Sequence, residues 1–189
     1  QAGDWTRFRG PDGGGVANEK LPSKLANENI KWEVDIPGRG LSSPIVQGDK
    51  IFLSAASGPD QTRLHVMCLS AKSGKKIWER QFWATGRTMT HPKTCVAAPT
   101  PVVNGNRVFV LYSSNDLICL DVDGNLQWLR GLTLDYPNAS NSLGMSSSPV
   151  VVDGVLVVQI ENDSESFAAG INVRTGENFW KLDRPKAAN

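Results

Sequence analysis

Apolar residues along this chain gather in short runs rather than long amphipathic stretches. "KIFLS" (50–54), "RVFVLY" (107–112) and "VLVVQI" (155–160) are nearly continuous. Short apolar runs bounded by turn signals predict strands covered on both faces. A two-residue turn precedes each run: Gly48-Asp49, Gly105-Asn106 and Asp153-Gly154. Gly in the first central position suits a type II′ hairpin, and Asp-Gly suits type I′. A further short strand stands before each turn, opened by Pro44, Pro101 or Pro149. The start of a strand is where a missing N–H is best tolerated. A third strand then carries Cys68-Leu69, Cys119-Leu120 or Gly170-Ile171, and a tight glycine turn leads to a fourth. No 3.6-residue apolar period is sustained, and the chain holds 18 glycines and 11 prolines, so a helical solenoid fits badly.

The fourth strands share a signature. "SGKKIW" (73–78), "DGNLQW" (123–128) and "TGENFW" (175–180) each place a Gly, three residues and a Trp. These tryptophans fall 50 and 52 residues apart. Trp32, in "NIKWEVDI", lies 46 residues before Trp78 and has no preceding Gly. Four antiparallel strands per unit at such a period describe the blades of an all-β fold, a β-propeller. An immunoglobulin-like sandwich would explain the strands but not the Gly-to-Trp spacing. The expected organisation is an N-terminal extended segment at 1–29, then a partial propeller at 30–189. Its blades fall at about 42–82, 97–130 and 146–183, with an extra outer strand at 30–37. About three blades would form part of a larger, possibly eight-bladed, ring.

A Trp at one fixed place in each blade reads as core. Its ring fills the wedge between neighbouring sheets, and its N–H pairs with a carbonyl of the next blade. "CLSAKSGKKIW" and "GINVRTGENFW" resemble the repeat of the pyrroloquinoline-quinone (PQQ) propeller family, roughly "ALDAxTGxxxW". "CLDVDGNLQW" matches with one residue fewer before Gly124, and the opening "DWTRFRGPDGGGVA" resembles the start of secreted bacterial members. The resemblance covers roughly 30–183. It implies that each Trp lies against the glycine turn of an adjacent blade. Gly74, Trp78, Gly124, Trp128, Gly176 and Trp180 are then blade-docking residues.

Composition narrows the picture. Twenty Lys and Arg against 19 Asp and Glu give a net charge of +1. That balance carries no footprint for nucleic acid or an anionic membrane. No apolar run approaches the roughly 18 residues of a transmembrane segment. The chain starts at Gln1 without a charged-then-apolar leader. The expectation is an exported chain, periplasmic or extracellular, with its signal peptide removed. Cys68, Cys95 and Cys119 form no CxxC or metal spacing. Cys68 and Cys119 share a column of the repeat and read as small buried thiols on different blades.

Candidate chemistry sits on loops longer than hairpins need, at 54–63, 83–95, 131–145 and 161–166. Strand parity puts all four on one face of the propeller. Arg87, His91 and Lys93 offer cations and an imidazole; Asp135, Tyr136, Asn138 and Asn141 offer donors and acceptors for a carboxylate or a sugar. The bland alternative for these residues is loop capping and solvated surface. No metal site is assigned: His91 and Cys95 are only two ligands, and "DVDGN" (121–125) reads as a turn. His65, flanked by core strand residues, reads as a satisfied strand histidine. The leading expectation is a non-catalytic scaffold without a cofactor, binding a protein partner or itself through open blade faces. An alternative is a PQQ- and calcium-dependent alcohol or sugar dehydrogenase, as the resemblance implies. The chain lacks the adjacent Cys-Cys pair often found in those enzymes and has no CxxCH. A third reading is a carbohydrate-binding propeller.

Overall fold

A computed structural model describes residues 3–17, 22–24, 26–140 and 143–186. Three four-stranded antiparallel sheets follow one another along the chain. The first holds β1 (Ile45–Gln47), β2 (Lys50–Ser57), β3 (Arg63–Ser70) and β4 (Lys76–Trp83). The second holds β5 (Val102–Asn104), β6 (Arg107–Leu111), β7 (Asp116–Asp121) and β8 (Leu126–Gly131). After a one-turn helix, α1 (Leu132–Asp135), the third holds β9 (Val150–Val152), β10 (Val155–Ile160), β11 (Ser166–Asn172) and β12 (Asn178–Arg184). Within each sheet the strands lie in sequence order, as expected of propeller blades.

The local chemistry predicted from sequence sets these hairpins. Gln47 pairs with Lys50, Asn104 with Arg107 and Val152 with Val155, leaving two-residue turns. Asp153 and Gly154 both take positive φ, 48° and 75°, as a type I′ turn demands. The outer strands share an irregularity. Register slips between Cys68 and Leu69, Cys119 and Leu120, and Gly170 and Ile171. The outer strand thus carries one extra residue just before each Trp, and such a bulge re-aims the side chain beside it.

Two apolar clusters fill the gaps between sheets. Phe52, Leu64, Val66 and Trp78 of the first blade meet Val108, Val110 and Ile118 of the second. Phe109, Leu117 and Cys119 of the second meet Leu156, Val158 and Phe167 of the third. Near the inner strands a second joint repeats. Ser43 N–H donates to Thr100 Oγ1 at 3.0 Å, and Thr100 N–H donates to Ser148 Oγ at 3.0 Å. The N-terminal segment ties the inner edges together. Trp5 exchanges two 2.8 Å backbone bonds with Val46, and Val103 N–H donates to Thr6 O at 2.9 Å.

One expectation fails. No strand forms at 30–37, apart from which a single 3-10 turn spans Asn27–Asn29. A strand needs a ladder partner, and no described residue pairs with this stretch. Trp32 nevertheless packs on the first blade.

Candidate functional site

Three indoles make the same contact. Trp32 Nε1–H donates to Ala71 O at 3.1 Å, Trp78 Nε1–H to Val122 O at 3.1 Å, and Trp128 Nε1–H to Val173 O at 3.2 Å. Each ring lies flat against the glycine that follows in the receiving blade. A Cβ added to Gly74, Gly124 or Gly176 would sit 2.5, 2.7 or 2.9 Å from the Trp ring. These glycines also take φ of 69°, 86° and 78°. Conformation and space therefore both demand glycine there.

Trp180 differs. It is 43% exposed, and no glycine turn meets it among the described residues. Its ring instead folds back over its strand partner, Gly170, where an added Cβ would lie 2.2 Å from Nε1. Cys68 and Cys119 fill that column opposite Trp78 and Trp128. Register and alternation place Val157, Ala168 and Leu182 on the same open face, with Leu182 64% exposed.

The loop residues singled out from sequence do not gather into one site. Asp135 ends α1, and its Oδ2 accepts from Arg130 Nη2 at 2.6 Å and Nε at 3.0 Å. Arg130 Nη1 also donates to Gly176 O at 2.8 Å and Asn178 Oδ1 at 2.6 Å. Tyr136 OH accepts from Asn178 Nδ2 at 2.9 Å, and its ring packs 4.7 Å from Phe167. The one-turn helix doubles the linker back, so Asp135 and Tyr136 join blades two and three and border a cleft with Arg130 and Asn178. Asn138 is exposed nearby in sequence, and Asn141 lies outside the described residues. Arg87 stands in another cleft beside Asp60 and Gln61, with Nη2 3.1 Å from Met89 Sδ. His91 Nδ1 accepts Lys93 N–H at 3.1 Å, so the imidazole caps its own turn, and both side chains are exposed.

Sequence reading missed the most enclosed carboxylate. Asp116 is 1% exposed and accepts from Thr85 Oγ1 and Ser114 Oγ at 2.6 Å each. Burial raises its pKa against the pull of those bonds. Thr85 lies 31 residues away, so no local motif marks the pair. The three cysteines are free and buried, and burial pushes the thiols of Cys68 and Cys119 up to about 11 and about 12. Among the described residues no three His, Cys, Asp or Glu side chains gather as metal ligands.

Known proteins place this geometry. Residues 24–189 match the family model described as "Outer membrane protein assembly factor BamB". The polyvinylalcohol dehydrogenase of Pseudomonas sp is 26% identical over 163 residues, 82% of this chain and 24% of the relative. The quinohemoprotein alcohol dehydrogenase ADHIIG of Pseudomonas putida HK5 superposes with a TM-score of 0.59 at 19% identity, over 80% of this chain and 22% of that one. A europium-containing methanol dehydrogenase gives a TM-score of 0.53 at 16% identity, over 81% and 26%. The chain thus spans about a quarter of the length of these relatives. No helix among the described residues is long and apolar enough to cross a membrane.

Proposed function

We propose that this chain, which belongs to the PQQ-like propeller family covering both dehydrogenases and BamB-like scaffolds, is a scaffold without quinone-dependent catalysis that binds protein through the third-blade face carrying Trp180 and Leu182. One observation carries this reading: Trp180 repeats the position of three docked indoles, is 43% exposed and meets no glycine turn among the described residues. An indole beside Leu182 and Val157 forms an apolar face of the kind that marks an interaction site. Covering each large side chain stabilises an interface by about 1.5–3 kcal/mol.

Sedimentation velocity across a concentration series tests it. Self-association should appear and should weaken at least tenfold in the double variant Trp180→Asp, Leu182→Asp. Unchanged association in that variant would remove the face from the account.

The polyvinylalcohol dehydrogenase relative favours a second reading, a PQQ-dependent dehydrogenase. The described residues do not fit that cofactor with calcium. Asp116 is committed to Thr85 and Ser114, Asp135 to Arg130, and among the described residues no three His, Cys, Asp or Glu side chains gather as metal ligands. Titration with PQQ and Ca²⁺, read by tryptophan fluorescence and dye-linked alcohol oxidation, separates the readings. Saturable binding with turnover would replace the scaffold reading.

A further inference from the structure

A separate chemical centre lies on the first blade, on the face turned away from the second. Ser57 closes β2, His65 lies within β3, and Glu79 lies within β4. His65 pairs with Ala55 and with Gln81, each two residues from its polar partner, so alternation puts all three side chains on one face. Ser57 Oγ lies 2.7 Å from His65 Nε2, and His65 Nδ1 lies 2.7 Å from Glu79 Oε1.

The carboxylate fixes where the protons are. Lys76 above all, then His65 and Gln81, hold the Glu79 pKa down to about 2 against partial burial. An ionised carboxylate only accepts hydrogen bonds. In the neutral imidazole Nδ1 therefore carries the proton, Nε2 presents its lone pair, and Ser57 donates its O–H to it. That is the tautomer a general base needs beside a hydroxyl nucleophile.

Access and rigidity are divided as such a centre requires. His65 is 4% exposed, and Tyr112 OH from the second blade donates to its carbonyl at 2.6 Å. Ser57 is half-buried at the end of its strand, and exposed Gly58 follows at φ 88°. No described residue accepts the Gly58 N–H. Arg63, paired with Ser57, stacks 4.0 Å over the exposed Trp83 ring.

We propose that Ser57 and His65, oriented by Glu79, form an acyl-transfer centre acting on carboxylic esters. Ser57 Oγ attacks the ester carbonyl while its proton passes to Nε2. The ester C–O bond breaks, and the departing alkoxide takes that proton. Water, activated by the same nitrogen, then cleaves the acyl-serine and releases the acid. Gly58 N–H, next in sequence to the nucleophile and without an acceptor among the described residues, would be the donor to the oxyanion. Arg63 and Trp83 give a platform for an aromatic or acidic ester. His65 is thus satisfied at both nitrogens, but one of its partners is a nucleophile.

The test uses the whole chain, a fluorophosphonate probe and p-nitrophenyl acetate. One adduct should map to Ser57 by mass spectrometry, and Ser57→Ala should abolish it together with ester hydrolysis. Glu79→Gln should slow acylation at least tenfold and shift its pH profile, which a purely structural Glu79 would not do. Ser57→Cys guards against misfolding: its alkylation by iodoacetamide should be at least tenfold faster than in the Ser57→Cys, His65→Gln double variant. No adduct at Ser57 in the folded chain, or equal hydrolysis by Ser57→Ala, would overturn the proposal.

Discussion

Trp128 and Trp180 occupy the same place in neighbouring blades and have different fates. Trp128 reaches across to the third blade, lies on Gly176 and donates to Val173 O. Trp180 meets no such turn among the described residues, and its ring lies on Gly170 of its own sheet. The Gly-to-Trp repeat is therefore half of a joint. Each joint takes an indole from one side and a left-handed glycine from the other, and Trp180, undocked among the described residues, is 43% exposed.

The largest effect should come from breaking a formed joint. Trp78→Ala removes a buried ring from the first interface and should lower stability by about 3–5 kcal/mol. Trp180→Ala should lower it by less than about 1 kcal/mol. Chemical denaturation of both variants checks the contrast, and equal losses would break it.

A methyl group should then discriminate among glycines. Gly124→Ala places Cβ against Trp78 and should cost about 2–4 kcal/mol. Gly48→Ala meets no atom within 4 Å and carries only its φ of 56°, so about 1 kcal/mol is expected. Thermal melts of the pair measure the difference.

A smaller effect is pH-dependent. The Glu79 pKa falls from 4.5 to about 2 on folding. Its depressed folded value means that the contribution is fully present above the unfolded pKa. It is lost as pH falls from about 4.5 towards about 2. Glu79→Gln should flatten stability across that window, as denaturation midpoints at successive pH values would show.

The smallest expected change is Gly170→Cys, which gives the third blade the residue found opposite Trp78 and Trp128. It should lift Trp180 off its own sheet and red-shift its fluorescence, while folding stability stays within about 1 kcal/mol.

The fold was legible because its signals are local. Opening prolines, two-residue glycine turns and apolar runs each act within a few residues. The 30–37 stretch misled because its composition suits a strand, while a ladder depends on a partner. The candidate chemistry was less legible for the same reason. Arg130 reads as an ordinary outer-strand residue until Asp135 and Asn178 are brought to it. Asp116 and Thr85 meet only when a linker packs on the second blade. Ser57, His65 and Glu79 have no motif spacing, and only strand register aligns them.

The most direct test of the half-joint is hydrogen exchange of the indole N–H groups, followed by NMR in dilute solution. Trp32, Trp78 and Trp128 donate to backbone carbonyls and should be protected, whereas Trp180 should exchange fast and gain protection as concentration rises. Protection of Trp180 at every concentration, or fast exchange at Trp128, would contradict the account.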